Sequence, residues 1–118
     1  MRELETRLAK VRHRFAGTLE SKIKDNYTTM SQLTGASADA VDRVGETYRR
    51  FHEIVALAPP VGFVQTGKAA RAAEIILLEA HLAKRGLTAT ESANLKRALD
   101  NLWAAAQGEL QSMYARGG

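Results

Sequence analysis

Apolar residues recur every three or four positions from the start of the chain: Leu4, Leu8, Val11, Phe15, Leu19, Ile23, Tyr27, Met30 and Leu33. Such steps return to one side of a helix, so residues 2–33 predict a long amphipathic helix. Gly17 interrupts it and marks a place for a bend, or for a break into a short leading helix and a longer second one. Thr34-Gly35-Ala36-Ser37 reads as a helix-ending glycine followed by a new N-cap at Ser37.

A second stripe follows: Val41, Val44, Tyr48, Phe51 and Val55. It ends near Ala58, because the residue before a proline is pushed out of the helical region, and Pro59 through Val64 form a short connection. A third helix is expected over about 65–84, with Ala69, Ala73, Ile76, Leu77 and Ala80 facing inward and Arg85-Gly86 as its stop. Thr88 and Glu91 match a capping box. The last helix carries Leu95, Leu99, Leu102, Trp103, Ala106, Leu110 and Met113, and Arg116-Gly117-Gly118 is expected to fray. Strand-like alternation is missing. Short connections between long helices favour antiparallel neighbours, so the expected fold is all-α: one domain over 1–118, an up-and-down antiparallel four-helix bundle, with a short extra N-terminal helix if Gly17 breaks the first stripe.

Composition narrows the chemistry. The 118 residues include no cysteine, which excludes disulfides, thiolate metal sites and a cysteine nucleophile, and fits a cytoplasmic setting. The N-terminus is charged and amphipathic, unlike a secretory signal, and no apolar run approaches the roughly 20 residues that span a bilayer, so no membrane partner is expected. The net charge is +4, but the cations are interleaved with acids and no basic stripe carries stacking aromatics. Nucleic acid is therefore not an expected partner. No cluster of acids suggests a metal, no glycine loop of the Walker type suggests a nucleotide, and no cofactor is expected.

One histidine stands out. At about 100° per residue, His52 lies roughly 60° from the centre of the second stripe, on its flank. Gly45, Arg49 and Ala56 share its side. Small neighbours let another protein approach, and Arg49 could pair with phosphoryl oxygens. A neutral imidazole is a competent nucleophile near pH 7. Lys68 and Arg71, at the start of the next helix, are candidate cations for the same place.

The segment from His52 through Pro59-Pro60 to Gly62-Phe63, and on through Gly67-Lys68-Ala69-Ala70-Arg71-Ala72-Ala73-Glu74, resembles a histidine-phosphotransfer domain. In that family the phosphorylatable histidine lies on a central helix of a helical bundle, and a glycine follows ten residues later, as Gly62 follows His52. Residues 8–33 and 88–110 resemble, more weakly, its preceding and closing helices. The family usually has lysine and glycine three and four residues after the histidine, where this chain has Val55 and Ala56. The resemblance implies that His52 accepts a phosphoryl group from a receiver-domain aspartate and hands it on. It also implies that the partner is a response-regulator receiver domain or a hybrid sensor kinase, and that the chain is a phosphocarrier rather than an autonomous enzyme. The alternative is a bundle that docks on a receiver or kinase and regulates it without being phosphorylated, with Val55 making the surface more apolar.

The remaining signals have plainer readings. A lone histidine on a helix flank is usually a surface residue. His13 and His81 read as solvent-facing or boundary residues, Trp103 and Tyr48 as core anchors, and Gly62 as a left-handed turn. Val55 is core by periodicity and exposed by the resemblance. Closing the stripes on one another inside one bundle makes a monomer the expectation.

Overall fold

The computed structural model describes residues 2–116. Four helices follow one another: α1 (Arg2–Thr29), α2 (Ala38–Leu57), α3 (Val64–Leu82) and α4 (Ala89–Ala115), with single 3-10 turns at Met30–Gln32 and Pro59–Val61. The fold is the expected all-α four-helix bundle. α1 runs without interruption through Gly17, so no extra N-terminal helix forms. Gly17 is exposed with open space around its Cα, and one glycine in a long helix costs only about 1 kcal/mol.

The apolar stripe of α1 divides in two. Phe15, Ala16, Leu19 and Ile23 are buried, whereas Leu4, Leu8 and Val11 stay exposed. Near its other end α1 is tied to α4, where Tyr27 donates to Asp100 at 2.5 Å. Burial, then the Asp100 hydrogen bond, pushes the Tyr27 phenol up to about 12.

Ser37 caps α2, accepting from the Ala40 amide at 3.1 Å. The buried face of α2 is Ala40, Val44, Gly45, Thr47, Phe51 and Ile54. It is rotated from the expected stripe: Val41, Tyr48 and Val55 are only half-buried. The rotation follows from packing, since α2 and α3 share the most extensive contact in the molecule. α3 offers small residues to it. Gly67 is buried, and a Cβ there would stand 2.8 Å from the Pro59 ring, so the glycine sets the depth of this contact. Ala70, Ala73, Leu77 and Ala80 continue the same face, and Ala69 and Ile76 are half-buried beside it.

The N-terminus of α3 has no cap of its own. Glu109 on α4 supplies one, accepting from the Thr66 amide (2.7 Å), the Thr66 hydroxyl (2.7 Å) and the Gln65 amide (3.1 Å). These bonds satisfy donors that a helix start leaves open. Thr88 and Glu91 form the expected capping box on α4. Leu95, Leu99, Leu102, Ala106, Leu110 and Met113 face inward, and Trp103 is half-buried with Lys24 5.6 Å over its ring. Arg116 is the C-cap of α4, and the expected fraying of Gly117-Gly118 lies outside the described residues.

Arg85-Gly86 does not end α3 as the sequence suggested. The left-handed residue is Lys84, at φ 53°, and Gly86 serves a different purpose, crossing the chain at 33–35. No helix among the described residues is long and apolar enough to cross a membrane.

Candidate functional site

His52 lies in the C-terminal half of α2, with 62% of its side chain exposed. Because Phe51 and Ile54 take the buried face, the intervening position must point outward. The imidazole is nevertheless held on two sides. Its Nδ1 lies 3.2 Å from Oε1 of Glu74 on α3. The ring of Tyr48, one turn earlier on α2, stacks on it with centroids 5.9 Å apart and planes at 20°. Nε2 makes no hydrogen bond among the described residues.

Glu74 is the residue that sequence reasoning missed. Its side chain is only 9% exposed, and Oε2 is buried without a partner. Burying a carboxylate is costly unless charge and hydrogen bonds offset the lost water, and His52 supplies the one partner seen. The available signal was its place on α3: Ala70, Ala73, Leu77 and Ala80 are buried, and Glu74 shares their face. An acid in a stripe of small apolar residues is a polar group needing a partner. An ionised carboxylate accepts and does not donate, and the tautomer that suits such a contact carries its proton on Nδ1 and its lone pair on Nε2.

The other sequence-predicted residues separate into two groups. Val55 is half-buried and Ala56 exposed, both on the C-terminal side of His52 on α2. Lys68 and Arg71 are exposed on α3, and neither forms a hydrogen bond or ion pair with His52. The α3 residue that reaches the histidine is an acid, Glu74. Gly45 is not part of an exposed face. It is buried, because the His81 ring lies across it: a Cβ on Gly45 would stand 3.3 Å from that ring. Arg49 is exposed, but its Nη1 lies beside Gly45, 3.6 Å from the same point. The guanidinium therefore folds back along α2 toward His81.

His81, expected to be an idle boundary residue, is half-buried and stacks on Tyr48 with centroids 5.1 Å apart and planes at 17°. Tyr48 packs against the core, as expected, and its ring also lies between two imidazoles. His13 is exposed on α1. No group of three or more acids or histidines among the described residues could hold a metal ion.

The arrangement can perform one chemistry directly. An exposed imidazole nitrogen with a free lone pair is a nucleophile, and the opposite ring nitrogen is hydrogen-bonded to a carboxylate that offsets positive charge on the ring. Comparison with family models, with curated proteins and with solved structures gave no match.

Proposed function

We propose that this bundle is a phosphocarrier that takes a phosphoryl group on Nε2 of His52 from a receiver-domain aspartate and passes it to another. The observation that carries the reading is the His52–Glu74 pair: a solvent-facing imidazole, in the C-terminal half of α2, whose inner nitrogen is held by a buried carboxylate at 3.2 Å. The resemblance in the segment from His52 to Glu74, including Gly62 ten residues on, points the same way.

In the forward step the Nε2 lone pair attacks phosphorus of the aspartyl phosphate. The bond from phosphorus to the aspartate oxygen breaks, and its electron pair returns to that aspartate as a carboxylate. The Nδ1 proton stays between the ring and Glu74. Positive charge that develops on the ring is met by the Glu74 carboxylate, which is in place before the reaction and needs no reorganisation. Phosphotransfer back to a second receiver reverses these steps. The receiver domain contributes its own aspartate and divalent cation, in keeping with a cytoplasmic signalling role.

Treatment with phosphoramidate or a phosphorylated receiver domain is expected to add one acid-labile phosphoryl group, read by intact-mass spectrometry. His52→Gln should abolish the gain while circular dichroism stays unchanged. Glu74→Gln should slow labelling by about a hundredfold, the lower end of what a positioned proton partner contributes. Labelling that survives in the His52→Gln protein would overturn the assignment.

One observation favours a second reading. Val55 and Ala56 replace the family's usual lysine and glycine, so the two α2 positions that follow His52 by three and four residues are apolar where a transfer site would carry a charge. On that reading the domain docks on a receiver or kinase and regulates it without being phosphorylated. Partner binding that persists in His52→Ala, with no phosphorylated form from any donor, would favour it.

A further inference from the structure

A second site sits one ring away from His52. A cleft of about 400 Å³ between the first half of α2 and the end of α3 is lined by Val41, Asp42, Gly45, Glu46, Arg49, His81 and Lys84. Three features set it apart from an ordinary surface hollow.

First, the floor is shaped by a glycine. A side chain on Gly45 would press on the His81 ring at 3.3 Å, so glycine lets the imidazole lie flat against α2. Second, His81 is half-buried and stacked on Tyr48, yet neither ring nitrogen has a hydrogen-bond partner among the described residues. Its ring nitrogens therefore stay open to a group arriving from outside the chain. Third, Lys84 occupies a left-handed position, φ 53°, that a glycine would fill more comfortably. Such an outlier points toward function when a specific side chain is placed by it. Here the side chain is a cation that lines the cleft, and Arg49 brings a second one beside Gly45.

The charges decide what fits. Glu46 is paired with Arg43 at 3.3 Å. Among the other charged lining residues, Asp42 stands against Arg49 and Lys84, so the formal charge left over is one positive unit, His81 apart. A monoanion matches this balance, and a phosphate dianion exceeds it. Arg49 can grip two oxygens with its planar fork, while Lys84 and a His81 N–H supply single donors.

We propose that this cleft binds a carboxylate, the side chain of an aspartate or glutamate on an acidic partner segment. The inference does not depend on phosphorylation of His52. An acidic peptide seated here would lie beside the Tyr48 ring that links His81 to His52, and so would hold a partner next to the histidine without touching it.

The test is a titration of the whole domain, followed by NMR at the His81 ring and the Lys84 amide. Three probes are used: a blocked tetra-aspartate peptide, acetate and inorganic phosphate. The peptide is expected to give saturable shifts at both positions, and acetate to give the same shifts at higher concentration. Arg49→Gln and Lys84→Gly should each weaken peptide binding at least fivefold. Lys84→Gly should at the same time raise the melting temperature, which excludes misfolding as the cause. His52→Gln should bind the peptide as the parent protein does, so loss of phosphotransfer and loss of this site are separately visible. Absence of saturable shifts with all three probes would overturn the proposal. So would binding that survives in the Arg49→Gln, Lys84→Gly double variant, or phosphate binding tighter than the carboxylate probes.

Discussion

α3 is entered through Pro59–Phe63 and left through Ala83–Leu87, and these two turns place their glycines differently. In the first, Gly62 takes the left-handed position at φ 93°, its amide bonded to Pro59 O at 3.0 Å and that of Phe63 to Ala58 O at 2.9 Å. In the second, the left-handed residue is Lys84. Its amide reaches His81 O at 3.2 Å, and that of Arg85 reaches Ala80 O at 3.1 Å, the two reverse bonds of a Schellman ending. A glycine was within reach, two residues later, but Gly86 is needed where chains cross. A Cβ on it would lie 2.2 Å from Gly35 O and 2.9 Å from Leu33 O. Glycine is therefore assigned by closest approach at one turn and by backbone angle at the other. At the second turn the angle is left to a lysine.

The largest test of this difference is Gly86→Ala. The clash is with the backbone of residues 33–35, so it is not relieved by a rotamer change. The Leu87 amide bond to Leu33 O, 2.8 Å long, must open with it. Urea denaturation should show a loss of about 3 kcal/mol, at the upper end for overpacking. A loss under about 1 kcal/mol would mean that the crossing yields easily, and that Gly86 was free to serve as the left-handed residue after all.

A smaller effect is expected from acid. The second turn is braced by Arg85, whose Nη1 lies 2.6 Å from Oε1 of Glu91, and by the Thr88 amide, which donates to the same oxygen at 2.9 Å. These bonds, the arginine's first, hold the Glu91 carboxyl down at about 2, below its ordinary 4.5. A carboxyl lowered on folding stabilises the fold above its ordinary value, and that contribution fades as pH falls from about 4.5 toward 2. The pair is partly solvated, so the cap's worth is about 1 kcal/mol rather than the full shift. Glu91→Gln should remove this component of acid sensitivity between pH 4.5 and 2, measured by thermal melts across pH. An unchanged acid limb would show that other carboxyls set it.

The same contrast explains what could be read from the sequence. Helix order, the Ser37 and Thr88 caps and the left-handed Gly62 depend on a few adjacent residues, and local pattern carries them. Gly86 depends on residues about 50 positions away, at 33–35, so spacing alone put the helix stop at the wrong residue. Leu4, Leu8 and Val11 have the same period as Phe15 and Leu19, yet only the latter meet the bundle. Periodicity names a face and is silent on what covers it. The site divides in the same way. The outward position of His52 followed from the stripe of α2. Its carboxylate partner needed the pairing of α2 with α3, and the burial of Gly45 needed the His81 ring to arrive from the far end of α3.

The smallest test is a reciprocal pair at the two left-handed positions. Gly62 has open space around it, the nearest atom being Arg12 Nε at 4.0 Å, so Gly62→Ala meets no clash and costs only the backbone penalty, about 1 kcal/mol. Lys84→Gly removes that penalty but returns some freedom to the unfolded chain, so the gain should be smaller, about 0.5 kcal/mol. Opposite signs in the two melts would show that both turns obey one backbone rule and that lysine stands at the second against stability. A lysine held there at a cost needs a reason outside the turn, and the cleft over Gly45 supplies one: a glycine would steady the end of α3 but leave Arg49 as the cleft's one remaining permanent cation. If Lys84→Gly instead destabilises, the lysine stem is packing where it lies, and its angle reports on the fold rather than on a ligand.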